Sequence, residues 1–95
     1  MSDNKKTYVD EARDAIRKWG IRLIKLKEES INAKPEHRAE LEALIEKIKS
    51  DKAFIEEKVS ELEKADNGWR QVRESIEGAV RNLDDAYRSA LVYSM

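Results

Sequence analysis

The stretch from Trp69 to Tyr93 constrains this chain most, because Trp69, Val72, Ile76, Ala79, Leu83, Ala86, Ala90 and Tyr93 step 3, 4, 3, 4, 3, 4, 3 without a miss. That spacing holds one narrow apolar stripe on a single helix face, and a helix buries such a stripe against another helix. Two partner stripes exist. Leu41, Ile45, Ile48, Lys52, Ile55, Val59 and Leu62 step 4, 3, 4, 3, 4, 3, interrupted only by Lys52, whose stem can run along its neighbours while the ammonium stays in water. Upstream, Val9, Ile16, Leu23 and Ser30 fall at one heptad position and Ala12, Trp19, Leu26 and Ala33 at the other.

Two breaks separate the stripes. Asn32-Ala33-Lys34-Pro35 ends the first helix, since Pro35 lacks a donor yet suits the first turn of the next helix. Asp66-Asn67-Gly68 is the second, with Gly68 for a left-handed helix end and Asp66 or Asn67 as cap. Gly20 lies inside the first stripe beside Trp19 and marks either a kink or a close helix approach. The spacing therefore predicts one all-α domain over 1–95, with helices over about 5–31, 35–65 and 68–93. Short connections make neighbours antiparallel, so the expected architecture is an up-down-up three-helix bundle or coiled coil anchored by Trp19 and Trp69. The alternative straightens the second break into a long bent helix and completes the core by self-association with a second chain.

Ninety-five residues support one domain and only a thin core, so stability has to come from regular helix packing. Charged residues make up 41% and hydrophobic residues 40%, as expected of solvated helices with apolar seams. Without cysteine, disulfides, thiolate metal sites and thiol nucleophiles are excluded. The first residues lack the apolar run of a secretion signal and no segment is long and apolar enough to span a membrane, so a soluble, cytoplasmic protein is the expectation.

Residues 67 to 86, Asn67-Gly68-Trp69-Arg70-Gln71-Val72-Arg73-Glu74-Ser75-Ile76-Glu77-Gly78-Ala79-Val80-Arg81-Asn82-Leu83-Asp84-Asp85-Ala86, resemble a family of short bacterial coiled-coil, stress-inducible proteins. In that family a Lys/Glu-rich hairpin leads into a helix with the pattern Glu-x-Ala-Trp-x-x-Leu-x-x-Ala. Glu77, Ala79, Leu83 and Ala86 match it, whereas Val80 stands where the family often has a second Trp. The resemblance implies a bacterial, cytoplasmic, helical protein and no particular chemistry.

The residues themselves carry little chemistry either. His37 is the only histidine, so the paired Glu-x-x-His motifs of di-metal bundles are absent; it reads as a solvated surface residue one turn into the second helix. Adjacent carboxylates such as Glu56-Glu57 and Asp84-Asp85 point about 100° apart on a helix and cannot form an acid/base dyad. A slim bundle also offers little concavity. The chain is accordingly read as a non-enzyme with no catalytic residue, metal or cofactor, and with no small-molecule substrate.

What remains is association. Arg17, Lys18, Arg22, Lys25 and Lys27 form a run without an acid, against which a folded hairpin sets Glu40, Glu42, Glu46 and Asp51. Interhelical charge pairing is the first reading of this run. The other is an anionic lipid or granule surface contacted by an amphipathic, surface-active protein; these bases scatter around the helix instead of forming one stripe, which weighs against both lipid and nucleic acid. Ile21, Ile24 and Ile31 lie off the main seam, and Phe54 lies off the second. They either pack under the third helix or form an interface with a protein partner or another copy of the chain.

Overall fold

The computed structural model describes residues 3–65 and 67–94 and contains three helices: α1, Asp3–Asn32; α2, Pro35–Lys64; and α3, Trp69–Ser94. No strand occurs among the described residues. The helices run up, down and up, as the stripes predict, in a rod whose Cα atoms extend 50 × 18 × 16 Å.

Every member of the three stripes turns inward to some degree. On α2, Leu41, Ile48, Val59 and Leu62 are inaccessible to solvent, with Ile45 and Ile55 nearly so. Ile76, Ala79, Leu83, Ala86 and Ala90 are the buried part of the α3 stripe, while Val9, Trp19, Leu23, Leu26 and Ser30 are the buried part of α1. Lys52 behaves as its position in the seam suggests. Its Cε lies 3.6 Å from where a Gly20 Cβ would stand, and its Nζ reaches Glu56 one turn on. Gly20 thus lies inside an unbroken α1 at ordinary contact distance from the flexible end of Lys52, so the geometry shows neither the kink nor the close helix approach expected of it.

The ends are tied by cations from neighbouring helices. Arg38 of α2 donates to the carbonyls of Ile31 and Ala33, and Lys5 of α1 donates to those of Glu63 and Ala65. Helix C-termini leave carbonyls without intrahelical donors, so these side chains satisfy hydrogen bonds and oppose the negative end of the dipole. Lys34, with extended backbone (φ −60°, ψ 142°), precedes Pro35 in the first helical turn.

The second break works differently from the expectation. Ala65 closes α2 in an extended conformation, and Gly68, at φ +76°, stands directly before α3, its carbonyl accepting from the Gln71 amide at 3.1 Å. Gly68 thus opens the third helix instead of ending the second. Asp66, expected to share this break, lies outside the described residues.

The three helices are not equally close. α2 is central, α3 packs tightly along it, and α1 and α3 approach each other least. Side-chain size supplies a reason. The buried stripe of α3 includes the small residues Ala79, Ala86 and Ala90, whereas toward α1 the helix turns Ile76, Val80 and Leu83. Small residues let axes approach, and large ones hold them apart.

Candidate functional site: an apolar groove between α1 and α3

Where α1 and α3 diverge, the surface opens into an apolar groove of about 400 Å³. Ala12, Ala15 and Ile16 form one wall, Ile76, Val80 and Leu83 the other, and Ile55 with the Lys52 stem contributes the floor from α2. The α1 wall, from Tyr8 to Trp19, spans about 16 Å at 1.5 Å per residue. The little concavity expected of a slim bundle is thus corrected. The stripes define which residues face inward, but the spacing between two helices depends on side chains meeting across the seam.

Aromatic pairs bridge α1 and α3 at two levels. Tyr8 and Trp69 lie 6.5 Å apart between centroids, tilted by 46°, and Trp19 meets Tyr87 edge to face at 5.2 Å and 87°. Both separations suit favourable ring contacts. The Arg22 guanidinium sits 4.6 Å from the Trp19 centroid and 5.3 Å from that of Tyr87. Trp19, 7% exposed, is the core anchor its place in the stripe implies. Trp69 is not buried to that degree: it is partly exposed at the first turn of α3, where a helix end cannot surround an indole.

The rim carries charge. Glu77 is held by Arg73 at 3.0 Å, and that guanidinium also lies 5.4 Å from the Tyr8 ring centroid. Burial pushes the Tyr8 phenol above its ordinary pKa; the negative charge of Glu77 adds to the shift, and Arg73 opposes it. Arg81 also borders the groove and makes no ion pair among the described residues.

The basic run does not pair across the hairpin as expected. Arg17 and Lys18 both turn to Asp14 on their own helix, whose carboxyl is held below the usual range by hydrogen bonds from Lys18 and Arg17. Arg22 is on the aromatic pair, and Lys25 and Lys27 pair with no carboxylate among the described residues. An acid one turn away on the same helix needs less side-chain ordering than one across a helix gap. The α1–α2 ion pair that does form joins Arg13 to Glu63, outside the run.

The four interface candidates do not make one patch. Ile21, Ile24 and Ile31 are 53%, 60% and 71% exposed, so they are not covered by α3. On α2, Lys52 faces Gly20 of α1, and Phe54, two residues on, lies about 200° round the helix. Phe54 borders a depression shared with Glu74, Ser75, Gly78, Ala79 and Asn82, with the Lys58 ammonium 5.4 Å from its ring centroid.

His37 is also corrected. It is partly buried, edge to face with Tyr93 at 5.6 Å and 73°, and its Nδ1 is buried without a hydrogen-bond partner among the described residues. The antiparallel return of α3 brings its last turns to the start of α2, a contact that no local spacing reveals. Among the described residues no cluster of three or more His, Asp or Glu side chains is placed to hold a metal, and no helix is long and apolar enough to cross a membrane. Comparison with family models, curated proteins and solved structures finds no match for this chain.

Proposed function

We propose that the protein acts by helix association, taking an amphipathic helix from a partner protein into the α1–α3 groove and so completing a four-helix arrangement. The observation that carries this reading is the groove itself: an apolar trough about three helical turns long, bounded by two helices and floored by a third. Helix-in-groove recognition uses apolar anchors at i, i+3, i+4 and i+7, which a trough of this length accommodates. Ala12 and Ala15 leave room for a partner backbone to come near. Arg81 on the rim favours an acidic residue flanking the partner's apolar face.

The chemistry of the lining argues against catalysis as the use of this groove. Apart from the Tyr8 phenol, its polar groups are long side chains, two of them already engaged, Lys52 with Glu56 and Glu77 with Arg73. Such groups do not form a nucleophile and base held in mutual hydrogen-bond reach.

The test places a photoreactive residue at Ala15 and maps cross-linked peptides by mass spectrometry, in parallel with Ala12→Trp, which plugs the groove. Cross-links to one helical segment of another protein, lost in Ala12→Trp while the circular dichroism spectrum is retained, are the expected result. Cross-links to a second copy of this chain would replace the partner by self-association. Cross-linking indifferent to the plug would remove the groove from the function.

A further inference from the structure

The outer face of α1 between Arg17 and Ile31 presents a different chemistry from the groove. At about 100° per residue, Ile21, Ile24 and Ile31 fall within an arc of about 80°, with Arg17 and Glu28 inside the same arc. Lys27 borders one side of it, and Lys25 and Lys18 border the other. The three isoleucines extend about 15 Å along the axis and are more than half exposed. From Ala15 to Lys27 the chain has no acid at all. Lys25 and Lys27 are without a carboxylate partner among the described residues. The acid-free stretch ends toward the N-terminus at Asp14 and toward the loop at Glu28, and Asp10, Asp14 and Glu28 all share this outer face.

We infer that this face docks the closed bundle onto an anionic lipid bilayer, the isoleucines entering the headgroup and acyl boundary and the flanking lysines meeting lipid phosphates. Aliphatic side chains in a line with cations on both flanks are the pattern an interfacial helix shows to a bilayer. Here the opposite face of α1 is already occupied by the core, so docking requires no opening of the bundle. Two features select an anionic bilayer over other occupants. The face is a single convex helix, which a planar, deformable surface can meet, whereas protein hot spots seat anchors in pockets. The flanking Lys25 and Lys27 are exposed and make no ion pair among the described residues, so both are available to lipid phosphates. The groove lies on the flank of α1 toward α3, so docking and groove occupancy do not compete.

Flotation of the full chain with vesicles tests this. Vesicles of 30% phosphatidylserine in phosphatidylcholine should carry the protein at low salt, with unchanged helicity, and pure phosphatidylcholine should carry little. Lys25→Glu with Lys27→Glu, and separately Ile21→Ser with Ile24→Ser, should each weaken binding on the order of tenfold. All four positions are exposed, so retained thermal unfolding shows that folding is not the cause. Ala12→Trp should bind vesicles normally, which separates this inference from the groove reading. Equal binding to neutral vesicles, or binding indifferent to both double variants, overturns the proposal. No flotation together with lysine-dependent retention on immobilised polyglutamate also overturns it, in favour of an acidic protein partner.

Discussion

Leu83→Ala and Ile48→Ala remove the same three carbons from side chains that are both fully inaccessible to solvent, yet they should not cost the same. At about 0.8 kcal/mol per buried carbon, the transfer contribution is about 2.4 kcal/mol for each. The difference lies in the cavity left behind, which adds up to about 2 kcal/mol where the surroundings cannot move. Ile48 sits on the central helix away from the groove, so Ile48→Ala should cost about 4 kcal/mol. Leu83 lines the groove, where Ile76, Val80 and Trp19 can settle into the vacated space or water can enter it; about 2.5 to 3 kcal/mol is expected. At about 4–8 °C per kcal/mol for a domain of this size, Leu83→Ala lowers the melting temperature by about 10–24 °C. Ile48→Ala lowers it further. Urea titration followed by circular dichroism at 222 nm, with equal m-values across the variants, gives the comparison directly. An equal or larger loss for Leu83→Ala would refute an open groove beside it. Losses below about 1 kcal/mol for both would refute a bundle closed within one chain.

Other outcomes follow from single positions. Gly68→Ala places a Cβ at φ +76° with nothing within 4 Å, so its cost is conformational alone, about 1–2 kcal/mol by thermal unfolding. Gly78→Ala, inside α3 and equally unobstructed, should stabilise by about 0.5–1 kcal/mol; a loss there would mean that α3 sits closer to a neighbour than the geometry indicates. The raised Tyr8 pKa means the fold favours the neutral phenol. Its contribution is complete below the ordinary value of 10.0 and is lost as pH climbs through the folded value. Tyr8→Phe should therefore show a smaller fall in melting temperature between pH 9 and pH 11 than the parent chain, and an identical fall would rule out this coupling.

How much of the molecule was legible in the sequence differs between core and site. All three stripes point inward where the 3–4 spacing puts them, and Pro35 opens α2 as its chemistry requires. These are local consequences of helical periodicity. Gly68 reads as a break from sequence, but whether it ends one helix or begins the next depends on where α2 stops, a choice of a few residues that composition leaves open. The groove carried no sequence signal of its own. Ala12, Ile16, Ile76 and Leu83 read as seam positions, and only the larger separation of α1 from α3 turns their edges into a trough.

The sequence by itself determined that the chain is helical, where its helices break, which faces are apolar and which isoleucines have no place in a seam, because these follow from side-chain order along a repeating backbone. The tertiary structure alone decided the inequality of the helix pairs, the pairing of Trp19 with Tyr87 under Arg22, the seat of His37 against Tyr93, and the divergence of Phe54 from the isoleucines. Those facts join residues far apart in the chain, and their geometry is set by how side chains of unequal size fill the space between helices.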